Sequence, residues 1–373
     1  MGCQICRQKE PEANIPLLQS LEKMQDDRHD FQEKFDAYLQ TFGQYYNSDF
    51  DSLISQNIKD YITNDPLQVD EVYYRNLSGY DMKPIEFKNG NIYQGGWNKN
   101  LKMEGQGKYF LIQENAFVEG IWKEGDLIYA RVFIITQDNF DIYEGEIRDS
   151  NFEGKGKLIL SNGEEYNGEF INGEKAGKGK ITFQDGTVYE GQFENGKLKG
   201  EGKMLWANGY EYQGAFDGNK FGGYGTLKSP KNEIYEGEFE NNLFNGNGKY
   251  IYQNGNTYEG QFSLGVKKGK GLFKCVNKFE FEGDWNNDLP CGVGKLKTWD
   301  KNGIMKSSWR DGKIIEKEIY EKGNKEDFEG IDFDIVTDET TINILDLTNL
   351  EKPEVPVETT QYKLGTIPSF LDE

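Results

Sequence analysis

Histidine occurs once in these 373 residues, and that scarcity removes the commonest acid/base and metal-binding devices. The single one, His29, lies beside an apolar helical stripe, where a solvated position is expected rather than a catalytic one. No Gly-x-Ser-x-Gly, His-Glu-x-x-His or kinase signature occurs. The four cysteines suggest no disulfide framework in a chain of this length without a secretory signal. Cys3-x-x-Cys6 lacks the βαβ surroundings of a redox motif, and a zinc site there would have to borrow Cys275 and Cys291 from far along the chain. No run approaches the ~18 apolar residues of a membrane-spanning helix. Two further motifs fail on spacing. Gly177-Lys-Gly-Lys180 is followed by Ile181 where a phosphate loop needs Ser or Thr, and Leu160 stands where a calcium loop opened at Asp149 needs its bidentate Glu. The expectation is a chain with no catalytic residues, no cofactor and no metal.

Positive charge is also short, 43 Lys and Arg against 64 Asp and Glu, for a net charge of −21. The deficit sits at the ends: residues 1–86 carry −8, residues 87–325 only −2, and residues 326–373 carry −11. A middle section so nearly neutral has no basic footprint for nucleic acid.

What is present is repetition. Tyr143-Glu-Gly-Glu-Ile147, Tyr166-Asn-Gly-Glu-Phe170, Tyr189-Glu-Gly-Gln-Phe193, Tyr212-Gln-Gly-Ala-Phe216, Tyr235-Glu-Gly-Glu-Phe239, Tyr258-Glu-Gly-Gln-Phe262 and Phe281-Glu-Gly-Asp-Trp285 start 23 residues apart. Tyr93-Gln-Gly-Gly-Trp97 and Val118-Glu-Gly-Ile-Trp122 precede them at steps of 25. A fixed period of this size means one supersecondary unit closed by its neighbours, hence a solenoid. Tyr189, Gly191 and Phe193 alternate on one face of a strand; Asn195-Gly196 turns the chain; Gly200, Gly202, Met204 and Trp206 resume the period of two. Each unit therefore reads as a hairpin leading into the next.

Glycine inside strands is normally a weakness, yet Gly-x-Gly recurs at 105/107, 154/156, 177/179, 200/202, 223/225, 246/248, 269/271 and 292/294. Bare Cα atoms there leave room for Tyr and Phe rings, each worth about 150–250 Å² of buried area, to lie over the backbone. On the opposite face Lys108, Lys157, Lys180, Lys203, Lys249 and Lys295 follow the glycine pairs, and Glu144, Glu190, Glu236, Glu259 and Glu282 follow the opening aromatics. Basic and acidic rows thus alternate strand by strand, an arrangement worth some tenths of a kcal/mol per pair.

The order Tyr-x-Gly-x-Phe/Trp, turn, Gly-x-Gly-Lys, turn closely resembles the MORN (membrane occupation and recognition nexus) repeat, over about residues 91–312. Val118 opens a unit that departs from the pattern, with Ile128-Tyr-Ala-Arg-Val-Phe-Ile-Ile135 in place of the glycine strand. The resemblance implies a mainly β, elongated single-layer antiparallel hairpin array. It also implies a non-enzymatic scaffold at junctional membranes, cell cortex or cilia, with protein partners unspecified. The surface expected to meet them is the aromatic row: Tyr93, Trp97, Tyr143, Tyr166, Phe170, Tyr189, Phe193, Tyr212, Phe216, Tyr235, Phe239, Tyr258, Phe262, Phe281 and Trp285. The runner-up is a phosphoinositide or anionic-phospholipid module using Lys157, Lys180, Lys203 and Lys249, ranked lower because the array has no excess positive field. A ciliary axoneme component is the third reading.

The chain opens Met-Gly-Cys-Gln-Ile-Cys, which resembles a dual-acylation start with myristate on Gly2 and palmitate on Cys3 and Cys6, although Cys6 replaces the usual Ser or Thr. One acyl chain holds a membrane only marginally, and two or more hold it firmly. The expected location is the cytoplasmic face of a membrane. Leu17, Leu21, Met24, Phe31, Phe35, Tyr38 and Phe42 form a heptad stripe on a helix closed by Gly43, richer in aromatics than a coiled-coil seam and so expected to pack within the protein. A second helix is expected from Asp49 through Phe50, Leu53, Ile54, Ile58 and Tyr61 to Asn64-Asp-Pro66. The organisation is therefore a lipidation segment at 1–15, a helical region at 16–86, the array at 87–315 with Met305–Gly312 as a terminal cap, and an acidic, mostly disordered tail at 316–373.

Overall fold

The computed structural model describes residues 15–69, 73, 77, 79–136, 139–299, 303–315 and 319–328, with side chains from residue 28. Gly2, Cys3, Cys6 and the tail beyond Phe328 lie outside them. The chain divides into two compact units that meet in sequence at Ser150 and Asn151.

The first unit begins with helix α1 (Ile15–Phe42), which ends where Gly43 opens a short strand β1 (Gly43–Tyr45). The expected second helix is broken. Asp49 caps a single 3-10 turn (Phe50–Leu53), its carboxylate accepting from the Asp51 amide at 3.1 Å, and Ser55 caps a separate helix α2 (Gln56–Asn64). Two capping side chains six residues apart each satisfy amides that a continuous helix would have bonded itself, so the helix stops between them. The strands are β2 (Tyr80–Asp81), β3 (Ile85–Phe87), β4 (Ile92–Trp97), β5 (Met103–Leu111), β6 (Ala116–Lys123), β7 (Asp126–Ile135) and β8 (Phe140–Arg148). The departing segment after Val118 pairs normally as β7, between β6 and β8.

Helices cover both faces of this sheet. Phe31, Phe35 and Tyr38 of α1 are buried, Phe35 and Tyr38 standing edge-on to Trp97 at 5.1 and 5.7 Å. On the opposite face Phe50 meets Phe117 at 6.3 Å and Tyr61 meets Phe133 at 5.7 Å. Phe31, Phe35 and Tyr38 of the stripe thus pack inside the protein, as expected, whereas Phe42 at its end is exposed, and the side chains of Leu17, Leu21 and Met24 lie outside the described ones.

The second unit is a run of antiparallel hairpins: β9 (Asn151–Ile159), β10 (Glu165–Ile171), β11 (Glu174–Thr182), β12 (Val188–Glu194), β13 (Lys197–Leu205), β14 (Glu211–Asp217), β15 (Phe221–Lys228), β16 (Ile234–Glu240), β17 (Leu243–Ile251), β18 (Thr257–Ser263), β19 (Val266–Cys275), β20 (Phe279–Asn286), β21 (Leu289–Thr298) and β22 (Ile304–Arg310). Each pairs with the strand after it. Beyond the cap, β23 (Lys313–Ile314) and β24 (Ile319–Lys322) pair with β22, and Lys325–Phe328 forms a 3-10 turn. Within the segment expected as a mostly disordered tail, Ile319–Lys322 extends the sheet, with Ile319 and Tyr320 beside Lys306 and Met305.

The glycine pairs divide into two roles where the sequence suggested one. The second glycine is the ring seat: a Cβ on Gly202 would lie 2.5 Å from Tyr189 Cε2, and one on Gly179 2.5 Å from Tyr166 Cε2. The first glycine is instead one of the two extra residues of a β-bulge. Gly177 has φ +54°, and the register steps from Gly168↔Gly179 to Glu169↔Ala176 around it. Glycine adopts that conformation at no steric cost, and the bulge is what frees the opposing carbonyl described below. Replacing Gly202 by Val is expected to lower stability by about 1–3 kcal/mol as overpacking. A urea midpoint equal to that of the parent would show that the ring does not rest there.

Candidate functional site

Each repeat tyrosine sits in a box built by two neighbouring hairpins. Its floor is glycine: the Tyr189 ring lies over Gly191 and Gly202. Its phenol donates to the carbonyl three residues on, Tyr189 to Gln192 at 2.9 Å, Tyr212 to Ala215 at 2.9 Å, Tyr235 to Glu238 at 2.8 Å and Tyr258 to Gln261 at 3.0 Å. Phe281 is the member without that hydroxyl. The side walls are phenylalanines edge-on to the tyrosine, one from its own strand and one from the next unit: Tyr189 meets Phe193 at 5.3 Å and Phe216 at 5.0 Å, and Tyr235 meets Phe239 at 5.0 Å and Phe262 at 5.2 Å. T-shaped pairs at these distances add about 0.5–1.5 kcal/mol each beyond burial.

The roof is a residue that sequence reasoning missed. Opposite each wall residue in its own hairpin stand Lys175, Leu198, Phe221, Phe244, Lys267 and Pro290, themselves 23 residues apart. Phe221 stacks on Tyr212 at 3.9 Å and Phe244 on Tyr235 at 3.7 Å. Lys175 and Lys267 do the same as cations, 5.4 Å from the Tyr166 centroid and 5.6 Å from that of Tyr258. The next hairpin tip fixes the roof, as the amides of Leu198 and Phe221 donate to Asn219 and Asn242 at 2.7 Å. The period of 23 carried this signal, but the chemistry changes at the position while the spacing does not, so only spacing could have found it.

The closed box corrects the expectation of an aromatic interaction surface. Tyr93, Trp97, Tyr143, Tyr166, Phe170, Tyr189, Phe193, Tyr212, Phe216, Tyr235, Phe239, Tyr258, Phe262, Phe281 and Trp285 are all buried, none more than 5% exposed. A single sheet covers its own rings here because the roof residue folds back over each one. Burial pushes the Tyr189 phenol up to about 12, and those of Tyr166, Tyr212, Tyr235 and Tyr258 are raised by the same cause. Burial also lowers the Lys175 ammonium, with Glu164 opposing.

The face available to a partner is therefore the outer one. There the expected alternation holds: Glu190 lies between Lys180 and Lys203 in register, Lys249 between Glu236 and Glu259, and Glu282 beside Lys295. Of the lysines considered for headgroups, Lys157 bonds Glu165 and Lys203 bonds Glu211, both at 3.1 Å. Among the described residues Lys180 and Lys249 have no ion pair. Beside this row runs a second one of half-exposed aliphatics, Val188 and Leu205 across β12 and β13, Ile234 and Ile251 across β16 and β17.

The first unit shows this same face occupied. Arg131, 1% exposed, donates from Nε to Glu144 at 2.8 Å, from Nη1 to the Asp65 carbonyl at the end of α2 and from Nη2 to the Asp65 carboxylate at 3.5 Å. Its guanidinium lies 5.5 Å from the Tyr61 ring centroid. Lys108 meets Asp51 at 3.6 Å. The departing unit thus substitutes an arginine that latches a helix for the glycine strand that seats a ring.

The profile of the MORN repeat matches seven consecutive segments, residues 143–165, 166–188, 189–209, 212–233, 235–257, 258–278 and 281–298. The chain carries seven MORN repeats. The hairpin from Tyr93 lies outside the matched segments, although its ring also rests over two glycines, Gly95 and Gly107. No curated protein matches this chain in sequence. Similar solved structures include the TCP10 domain of Danio rerio CPAP in complex with a peptide of Danio rerio STIL (12% identity, 63% of this chain and 100% of that one, TM-score 0.30). The SAS-4 (dCPAP) TCP domain of Drosophila melanogaster, in complex with a proline-rich motif of Ana2 (dSTIL), is 10% identical over 43% of this chain and 87% of that one, with a TM-score of 0.28. Virginiamycin B lyase from Staphylococcus aureus has 10% identity over 65% and 82%, with a TM-score of 0.13. None of these is close enough in backbone to bear on what this chain does.

Proposed function

We propose that this protein is a non-enzymatic scaffold, tethered to the cytoplasmic face of a membrane by acyl groups on Gly2, Cys3 and Cys6, that holds protein partners on the outer face of its MORN hairpins. The observation that supports this reading is the contrast between the two units. The outer face is covered by a helical segment in the first and uncovered among the described residues in the second, where Leu205 is 45% exposed. Acidic and basic residues balance along that face, which favours a protein over an anionic bilayer. Tethering and partner binding then reside in different residues. In cells, Gly2→Ala is expected to release the protein from membranes while it still recovers its partners, and Val188→Lys with Leu205→Glu is expected to do the reverse. Recovery of the same partners by the outer-face variant would overturn the assignment. Salt-sensitive binding of the unacylated full chain to phosphoinositide vesicles would replace it with the lipid-binding reading.

A further inference from the structure

The row of basic residues on the outer face is met, at both ends of the chain, by acids from the segments that flank the hairpins. In the first unit Asp51 reaches Lys108 and Asp65 reaches Arg131, while the aromatic neighbours of those acids cover Phe117 and Phe133 beside the basic row. In the second, Glu321 of β24 lies between Lys295 and Lys306, at 3.1 and 2.6 Å. The pattern is constant: a flanking segment brings a carboxylate to the basic row, and in the first unit also an apolar side chain to the row beside it. Lys249 stands in the same row, between Glu236 and Glu259 in register, without such an occupant. It has no ion pair among the described residues, and Ile251, Ile234 and Thr257 stand half-exposed next to it on strands in register.

The chain has a segment of matching chemistry within reach. It leaves the described residues at Phe328, whose ring lies 5.6 Å from Tyr320 of β24. Six strand spacings separate β24 from β17 by way of β22, about 29 Å at roughly 4.8 Å each. The 18 residues from Phe328 to Asp346 extend to about 60 Å. Thr341-Ile-Asn-Ile-Leu-Asp-Leu347 offers four aliphatic side chains around one carboxylate, in a tail with a large excess of acids. Lys180 has a comparable aliphatic pair, but it lies six strands further on, near the limit of that reach.

We propose that residues 341–347 dock on the outer face of the second unit, with the Asp346 carboxylate on Lys249 and the aliphatic side chains over Ile234 and Ile251. The tail is then an internal occupant of the face, and a partner binding there has to displace it. This contact stands or falls without regard to the acyl anchor. Carbodiimide treatment of the full chain, which joins an ammonium to a carboxylate only where they touch, tests it by mass spectrometry of the cross-linked peptides. An amide between Lys249 and Asp346 is expected, formed within one chain when labelled and unlabelled copies are mixed. Asp346→Asn should abolish it. Ile342→Asn with Ile344→Asn, which keeps the carboxylate and leaves the hairpins untouched, should lower its yield about tenfold, the worth of roughly 1.4 kcal/mol of lost apolar contact. Absence of a Lys249–Asp346 product, a yield of it indifferent to the two isoleucines, or such products joining only different copies would each overturn the proposal.

Discussion

Above pH 10 the second unit is expected to lose its fold abruptly, within about two pH units. An unfolded tyrosine gives up its proton near pH 10, whereas burial holds Tyr166, Tyr189, Tyr212, Tyr235 and Tyr258 protonated to higher pH, Tyr189 to about 12. Below pH 10 both states keep these protons and the full stability is present. Above it the unfolded chain binds fewer protons than the native one, so stability falls as pH rises, until the native phenols ionise in turn. Each such phenol removes about 1.4 kcal/mol per pH unit, and five together roughly 7, against a typical domain stability of about 5–15 kcal/mol. The phenolate absorbance should therefore appear together with the loss of the β circular dichroism signal, in one cooperative step. A gradual titration centred at pH 10 with the signal intact would show that the rings are accessible to water and that the boxes are open.

In the first unit, Arg131→Met is expected to cost about 1.5–3 kcal/mol, the range for losing charge-assisted hydrogen bonds, because the Arg131 side chain is buried while that of Glu144 keeps some contact with water. Glu144 keeps its charge with its strongest partner gone, and the Asp65 carbonyl at the end of α2 loses its donor. Since the apolar stems remain, Arg131→Met combined with Glu144→Leu should recover most of the loss, because it removes the stranded charge as well. Urea unfolding of the two variants, with hydrogen exchange on α2, separates the cases. A single variant within about 1 kcal/mol of the parent would mean that the aromatic contacts of Phe50 and Tyr61 alone hold the helical segment down.

Strand positions, hairpin turns and the alternation of charge could all be read from the chain, because each is a property of local spacing. Tyr189, Gly191 and Phe193 share a face whatever surrounds them, and Asn195-Gly196 turns wherever it stands. The fate of the rings could not be read so. Whether Tyr212 is exposed or enclosed depends on Phe221, nine residues later and beyond a bulge that shifts the register by two residues; without it Gly223 would stand opposite Phe216, and alternation along the chain does not say that Phe221 takes that place. The roof position carries Lys, Leu, Phe and Pro, so no residue type announces it. Arg131 was likewise visible only as a break in a pattern. Its partner Asp65 lies 66 residues away on a helix end, a pairing that period and propensity do not specify.

The boxes also give the array a direction. A tyrosine takes its floor and roof from its own hairpin but its far wall from the hairpin that follows, as Tyr212 does from Phe239 and Tyr258 from Trp285. Removing a hairpin therefore opens the box before it and leaves the aromatic walls of the box after it complete. Fraying begins where the succession of walls ends, at Phe281, whose far wall is Trp309 of the cap at 5.2 Å. Trp309 acts as a keystone at one end only, and a repeat can be gained or lost ahead of it, in whole steps of 23 residues, without disturbing how the last ring is closed.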